Sequence, residues 1–206
     1  MKKKLTRSAG SAEKILDAAA REFARYGLAG SRVDRIAKLA RVNKAMIYYH
    51  YRSKENLYQI VIRRHLGKIG DFLESSLSKE NDAEAFLNSL ADFYDQMFTE
   101  RNDFAPIFLR ELAAGGERIR HAFAEMMSKR QFVGKLMQLL ETGKKRGEIR
   151  GLNNMHAIVS FIGMNLFYLI AAPVIHSVWE IKDEKKFRQE RKKEVVDLFL
   201  YGLKSR

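Results

Sequence analysis

Apolar residues recur along this chain at intervals of three and four, the spacing that places side chains on one face of an α-helix. The clearest stripe is Ile15, Ala19, Phe23 and Tyr26. No alternating apolar and polar run bounded by turns is present, so the pattern predicts an all-α protein. The predicted helices are Ser11–Tyr26, 31–40, Lys44–Tyr51, 53–70, and about 82–100, 103–114, 117–146, 153–179 and 183–204, nine in total.

The second and third predicted helices are short and lie close together in the sequence. Ser31 and Asp34 have the spacing of a capping box, which predicts that Ser31 opens the second helix. A three-residue turn beginning at Arg41 follows, and Asn43 is a favourable N-cap for the third helix. Two short helices joined in this way and packed on a preceding helix form a helix-turn-helix unit.

The third helix is predicted to present tyrosines to its surroundings. On a helical wheel Ile47 and Tyr51 point to the core, whereas Ala45, Tyr48 and Tyr49 point away. Such a face suits contacts with phosphates and base edges in a DNA groove. The alternative is that Tyr48 and Tyr49 pack against a neighbouring helix. The DNA interpretation is favoured by the surrounding cations, which a core does not need, namely Arg32, Arg41, Lys44, Arg52 and Lys54.

The charge distribution agrees with a polyanionic partner. The chain of 206 residues has a formal net charge of +13, and residues 1–66 hold 16 Lys and Arg against 5 Asp and Glu. This concentration of positive charge predicts binding to nucleic acid or to an anionic membrane surface. The first residues, Met1 to Arg7, are basic without a following apolar segment, so they predict a basic arm rather than a signal peptide.

An uncharged segment from Gly151 to Trp179 has two possible interpretations. Its apolar part, Ala157–Ile175, is about long enough to span a thin bilayer. A helix that is apolar on all sides can equally be buried in a core or an oligomer interface. Polar and helix-breaking residues within it, including Asn165 and Pro173, favour the buried helix, and we expect no membrane contact.

Catalytic and metal-binding patterns are not visible in the sequence. There is no cysteine, and the five histidines form no metal-binding motif. Neither a phosphate-binding loop nor a nucleophile elbow occurs. We therefore predict a protein that is not an enzyme and needs no cofactor and no metal.

From Ser11 to about Ile62 the chain resembles the TetR family of bacterial transcriptional regulators. The resemblance rests on Ile15-Leu16-Asp17-Ala18-Ala19, Phe23, Gly27, Ser31, Ile36-Ala37, Arg41-Val42-Asn43, Ile47-Tyr48-Tyr49-His50-Tyr51 and Ser53-Lys54-Glu55-Asn56-Leu57. Two residues depart from the family pattern. Arg41 stands where glycine is usual, which predicts a strained or altered turn, and Tyr51 replaces phenylalanine, so its hydroxyl needs a partner.

The resemblance implies a cytoplasmic, ligand-responsive repressor that binds double-stranded operator DNA as a homodimer. It implies a DNA-binding domain over 1–52 and a ligand-binding and dimerisation domain over 53–206, with the helix 53–70 as the connecting lever and the last two helices at the dimer interface. By position in the family, contacts with the DNA backbone are expected from Ser31, Tyr48, His50 and Lys54. Contacts with base edges are expected from Lys44, Ala45 and Tyr49. We add the neighbouring candidates Arg32, Arg41 and Asn43.

The C-terminal half varies widely in the family, so its ligand site is predicted from composition and spacing. Large apolar side chains with a few polar groups are typical of small-molecule sites. They predict a pocket for an apolar or aromatic effector, although each residue could equally belong to the ordinary core. The candidates are Phe93, Met97, Phe104, Phe108, Phe161, Met164, Asn165 and Tyr168.

Two other functions remain as alternatives to a regulator. One is a nucleoid or membrane-surface protein that uses the basic N-terminal third without sequence preference. The other is a helical transferase or hydrolase, which is disfavoured because no nucleophile and base occur together.

Overall fold

The structure of this protein is a computed structural model that describes residues 2–80, 82–99 and 103–201; for residues 2–9 and 97–99 it describes the backbone alone. The described residues form ten helices and no strand, which confirms the all-α prediction. The helices are α1 (Lys2–Gly30), α2 (Val33–Ala40), α3 (Lys44–Tyr51), α4 (Lys54–Lys79), α5 (Ala83–Thr99), α6 (Phe104–Ala113), α7 (Glu117–Ser128), α8 (Phe132–Lys145), α9 (Asn154–Val178) and α10 (Glu184–Tyr201).

The predicted start of the first helix and the predicted end of the fourth helix are wrong. Helix α1 begins at Lys2, so Ser11 lies inside it and the predicted basic arm is helical from that residue. Gly27 does interrupt the helix as predicted, with φ of 66° and ψ of 179°. Helix α4 does not end at Gly70 but continues to Lys79. A Cβ at Gly70 would lie 2.8 Å from the Arg130 guanidinium, so this glycine allows close side-chain packing and does not end the helix.

The predicted helix 117–146 is in fact two helices, α7 and α8, which explains why ten helices are observed rather than nine. The break at residues 129–131 contains neither glycine nor proline. Arg130 in this break pairs with Asp71 at 2.7 Å and with Glu74 at 3.0 Å, both on α4. The break between α7 and α8 therefore coincides with ion pairs to α4 and could not be predicted from glycine or proline in the local sequence.

The chain divides into two compact units. The first comprises Met1–Ile69 with Asp103–Lys129, and the second Gly70–Asn102 with Arg130–Arg206. In the first unit Phe23 and Tyr58 pack edge to face with ring centroids 4.8 Å apart. In the second unit α5, α9 and α10 enclose a cluster of Leu87, Ala91, Phe161, Val195 and Val196. The predicted boundary at residue 52 is a functional division and stays a prediction.

Candidate DNA-binding surface and ligand region

Helix α3 separates its buried and exposed side chains as the sequence predicts. Ile47 and Tyr51 are buried, whereas Tyr48 is 44% and Tyr49 76% exposed. Ala45 is exposed as well. Both tyrosines are therefore exposed in the first compact unit, contrary to the alternative that they pack against a neighbouring helix.

Both ends of α3 are fixed by side-chain hydrogen bonds. The Asn43 side-chain oxygen accepts the Ala45 N–H at 2.9 Å, which confirms the predicted N-cap. The Tyr51 hydroxyl donates to the Ala12 carbonyl at 2.8 Å, so the hydroxyl that the sequence left without a partner ties α3 to α1. Burial raises the pKa of Tyr51 to about 12, and the phenol stays protonated as this bond requires.

Ser31 does not cap α2, contrary to the capping-box prediction. Its side chain is buried, and its hydroxyl donates to the carbonyls of Gly27 at 2.5 Å and Glu22 at 3.2 Å. The N-cap position belongs to Arg32, which has no capping side chain of its own. A hydroxyl used in this way is turned away from solvent, so the placement of Ser31 does not favour the side-chain DNA contact that the resemblance implies.

The cap of α2 comes instead from Glu22 on α1. This buried carboxylate accepts the Arg32 backbone N–H at 3.0 Å and the Arg35 guanidinium at 2.6 Å. It thereby satisfies a free N–H at the start of α2 and places negative charge at the positive end of the helix dipole. Glu22 thus positions α2 against α1.

Replacing Glu22 by alanine is expected to lower the free energy of unfolding by about 2–3 kcal/mol, because a buried charged acceptor and its two partners are lost together. Equilibrium denaturation in urea measures the change. Glu13→Ala removes an exposed carboxylate of the same helix that pairs with Arg64, and it should cost less than about 0.5 kcal/mol. Equal losses for the two variants would contradict the capping role.

The predicted cationic contacts differ in their surroundings. Lys44 pairs with Asp34 at 2.9 Å, and this hydrogen bond and charge raise the pKa of the Lys44 ammonium. Lys54 donates to the Ser31 carbonyl at 3.2 Å, and His50 lies 3.3 Å from the Ser11 hydroxyl. Arg32 and Arg41 are exposed. The nine candidates other than Ser31 therefore lie on or around α3 with at least part of the side chain open to solvent.

The eight predicted ligand residues fall into separate environments. In the first unit Phe104 stacks on His65 with centroids 4.9 Å apart and contacts Phe108 at 5.6 Å. The His65 Nδ1–H can donate to the Val61 carbonyl at 2.9 Å. Burial lowers the pKa of His65, which favours the neutral form of the imidazole that stacks on Phe104.

In the second unit the candidates on α9 are largely core residues. Phe161 is 1% exposed and packs on Phe199, with centroids 5.1 Å apart, and Met164 borders the same cluster. Asn165 is buried and donates to the Phe161 carbonyl at 2.9 Å. Its side-chain amide is therefore hydrogen-bonded within its own helix, as buried polar groups in a core usually are.

The remaining candidates have aromatic or polar neighbours of their own. Phe93 stacks on Phe72 with centroids 4.2 Å apart. The Tyr168 hydroxyl lies 2.8 Å from His176, and the Arg191 guanidinium lies 4.5 Å from the centre of its ring. The side chain of Met97 lies outside the described residues.

A polar groove of about 630 Å³ is present in the first unit, between α4, α6 and α7. None of the eight predicted ligand residues lines it. Its charged groups pair with one another, Arg63 with Glu125 at 3.0 Å and Arg118 with Glu111 at 3.3 Å. The lining residues are Gln59, Ile62, Arg63, Glu111, Ala114, Glu117, Arg118, His121, Ala122 and Glu125.

Helix α9 has two apolar faces. The face toward its own chain consists of Ala157, Phe161, Asn165, Tyr168 and Ala172. On the opposite side large apolar residues are exposed at helical spacing, among them Phe167 at 66% and Val174 at 65%. Within the described parts of the chain, α9 is the one helix long and apolar enough to cross a membrane, by length and composition alone. The exposed face, hereafter the outer face of α9, comprises Met155, Val159, Ile162, Phe167, Ile170, Val174 and Val178.

The first three helices thus define the class of the protein, a helix-turn-helix protein in which α3 is the second helix of the motif. Residues 15–61 match the family model described as bacterial regulatory proteins of the tetR family. This match to the family model, together with the transcriptional repressors similar to this chain, confirms the resemblance noted from the sequence.

Individual relatives agree with this assignment. The HTH-type transcriptional repressor SCO4008 of Streptomyces coelicolor is 40% identical over 81 residues, which are 39% of this chain and 41% of that protein. The transcriptional repressor NicS of Pseudomonas putida is 28% identical over 76% of this chain and 74% of that protein. The fold is similar to that of the regulator FadR of Bacillus subtilis, crystallised with stearoyl-CoA, with a TM-score of 0.70, 22% identity and coverage of 93% and 99%.

Proposed function

We propose that this protein is a ligand-responsive transcriptional repressor that binds a pseudo-palindromic operator as a homodimer in the cytoplasm. The observation that carries the proposal is the division of α3 into a buried side, Ile47 and Tyr51, and an exposed side with Tyr48 and Tyr49. A rigid helix with exposed aromatic and basic groups at its N-terminal end can enter a major groove and contact base edges.

The second copy of the chain is proposed to cover the outer face of α9. This face runs along most of a 25-residue helix, and its size and apolarity are unusual for a surface that meets water. In a two-fold dimer each copy supplies the same patch, so one apolar face covers the other. Exposed Leu198 and Tyr201 on α10 extend the proposed interface to the last two helices. A lipid bilayer is the alternative occupant, which we do not favour because the opposite side of the same helix packs in the core of its own unit.

The effector is proposed to be a small apolar or aromatic molecule that binds in the C-terminal domain, 53–206. The fold-level likeness to FadR, which was crystallised with stearoyl-CoA, supports a ligand with an apolar part, because the acyl chain of that molecule is apolar although its CoA group is charged. Two separate candidates remain outside the α5–α9–α10 cluster, namely half-buried Phe93 in the second unit and half-buried Phe108, beside the buried Phe104, in the first unit.

Effector binding is proposed to act through α4. This helix directly follows the DNA-binding domain, 1–52, and is continuous from Lys54 to Lys79. An effector that prefers one arrangement of the C-terminal domain would move α4 as a lever and change the separation of the two recognition helices. The coupling free energy is limited by the difference in effector affinity between the two states, typically about 1–3 kcal/mol.

Selection of bound sequences from a random pool of DNA duplexes tests the DNA-binding part of the proposal. A dimeric regulator should enrich a pseudo-palindrome whose half-sites are about 34–36 Å apart, or a multiple of that distance. It should bind the enriched site at least ~10³-fold more tightly than random DNA. Tight binding without enrichment would instead support a nucleoid-type protein that contacts phosphates alone.

Tyr49→Ala is expected to change which sequence the protein prefers, because Tyr49 is the most exposed large side chain of α3. A lost base contact should lower discrimination at one position of the half-site by roughly tenfold. Repeating the selection with the variant measures this. Lys54→Ala provides the contrast, since a phosphate contact should weaken binding to all sequences alike and lower the salt dependence by about one unit. Unchanged preference in Tyr49→Ala would assign Tyr49 to the DNA backbone.

A further inference from the structure

Two arginines with left-handed backbone conformations flank the recognition helix. Arg41 follows α2, with φ of 54° and ψ of 45°, and Arg52 follows α3, with φ of 64° and ψ of −48°. Among the described residues, Glu180 is the one other non-glycine residue with positive φ. A side chain at such a position raises the conformational energy of the folded state, and glycine avoids this cost.

Each of the two turns is held in place by its own hydrogen bonds. At Arg41 the Val42 N–H donates to the Ala37 carbonyl at 3.0 Å, which closes the end of α2 in the manner usually associated with glycine. At Arg52 the Ser53 N–H donates to the Tyr51 carbonyl at 2.7 Å, forming a γ-turn of the rare, strained hand. The Asn56 side chain donates to the same carbonyl at 2.9 Å. The surrounding structure therefore imposes both conformations.

Neither guanidinium makes a stabilising contact within the described part of the chain that would offset the strain of its backbone. Both side chains are exposed, and among the described residues neither has a hydrogen-bond or ion-pair partner. Lys44 at the start of the same helix differs, because it is paired with Asp34. Residues with strained backbone conformations are concentrated at functional sites. The lack of a stabilising side-chain contact at Arg41 and Arg52 therefore favours a functional role for these two side chains.

We propose that Arg52 contacts the DNA backbone, so that Arg41 and Arg52 bind phosphates on either side of the recognition helix. Arg41 was among the predicted contacts, whereas nothing in the resemblance assigned Arg52 to one. A guanidinium can donate two parallel hydrogen bonds to one phosphate, and it cannot be replaced by glycine in that role. This proposal rests on the DNA binding by α3 proposed above.

Three variants of Arg52 separate the backbone strain from the phosphate contact. Arg52→Gly relieves the strain and removes the charge, so the Tm should rise by about 2–4 °C while affinity for operator and random duplexes falls by about tenfold. Arg52→Ala removes the charge but keeps the strain, so affinity should fall equally without a rise in Tm. Arg52→Lys should keep the salt dependence of the wild type, whereas the other two should lower it by about one unit.

Glu180→Gly is the matched control. Glu180 has a φ of 49° in the turn after α9, outside the DNA-binding domain. Relief of strain there should raise the Tm by a similar amount and leave DNA affinity unchanged. Wild-type affinity and salt dependence in Arg52→Gly and Arg52→Ala would overturn the proposal. A wild-type protein that binds no DNA at all would instead contradict the proposed function.

Discussion

Replacing Phe167 by aspartate is expected to convert the proposed dimer into monomers and to weaken operator binding by ~10²–10⁴-fold. Phe167 lies in the middle of α9 and is 66% exposed in the single chain. In the proposed dimer it is buried against the partner's outer face of α9, where an unpaired carboxylate would lose its hydration. The loss in operator affinity follows because two linked recognition helices bind two half-sites far more tightly than one helix binds one.

The arrangement of α9 explains why this substitution should not unfold the subunit. The side chains that anchor α9 in its own unit, such as Phe161 and Tyr168, lie on the opposite side of the helix. Circular dichroism should therefore show unchanged helix content. Light scattering coupled to gel filtration measures the mass of the particle, and binding to the selected operator measures the affinity.

Phe123→Asp is the control for this experiment. It makes the same exchange at an exposed phenylalanine of α7, outside the proposed interface. This variant should remain dimeric and bind the operator normally. A Phe167→Asp protein that keeps the mass of the wild type would show that the outer face of α9 is not the dimer interface.

Elements defined by local signals could be predicted from the sequence. Helix α3 has its predicted bounds, because an N-cap at Asn43 and an apolar pair, Ile47 and Tyr51, are recognisable within ten residues of each other. The exposure of Tyr48 and Tyr49 follows from the same helical geometry. Much of the candidate DNA-binding surface was therefore accessible without a structure.

Features that depend on distant residues could not be predicted in this way. Ser31 has the sequence of a cap, but the carboxylate of Glu22 on α1 competes for that role once the two helices pack. One signal was available, because Glu22 continues the spacing of Ala19 and Tyr26 and so lies on the apolar face of α1. An acid on such a face needs partners, which is a reason to search for a cap or an ion pair.

The predicted ligand residues show a second limit. Core and pocket residues on a helix are both large, apolar and spaced by three or four, so the sequence does not distinguish them. The buried side of α9 is a case in which the structure favours the core. Phe161 is in the centre of the α5–α9–α10 cluster, and the Asn165 amide bonds to the helix backbone.

Phe161→Ala is accordingly expected to lower the free energy of unfolding by about 3–5 kcal/mol in the absence of any effector. The substitution removes a ring that is 1% exposed and packed on Phe199, and the surrounding helices can fill the resulting cavity only in part. Urea denaturation at fixed protein concentration measures the loss, because a dimer's stability depends on concentration.

The comparison with Phe123→Ala determines what this loss means. Phe123 is 38% exposed, so removing its ring should cost less than about 1 kcal/mol, and the difference between the two variants reports the burial of Phe161. A residue that lines an open ligand pocket lacks packing partners on one side and would behave like Phe123. Losses of equal size would make Phe161 a ligand-site candidate again. The expected large difference would restrict the search for the effector site to side chains outside this cluster, beginning with half-buried Phe93 in the second unit and Phe108 in the first.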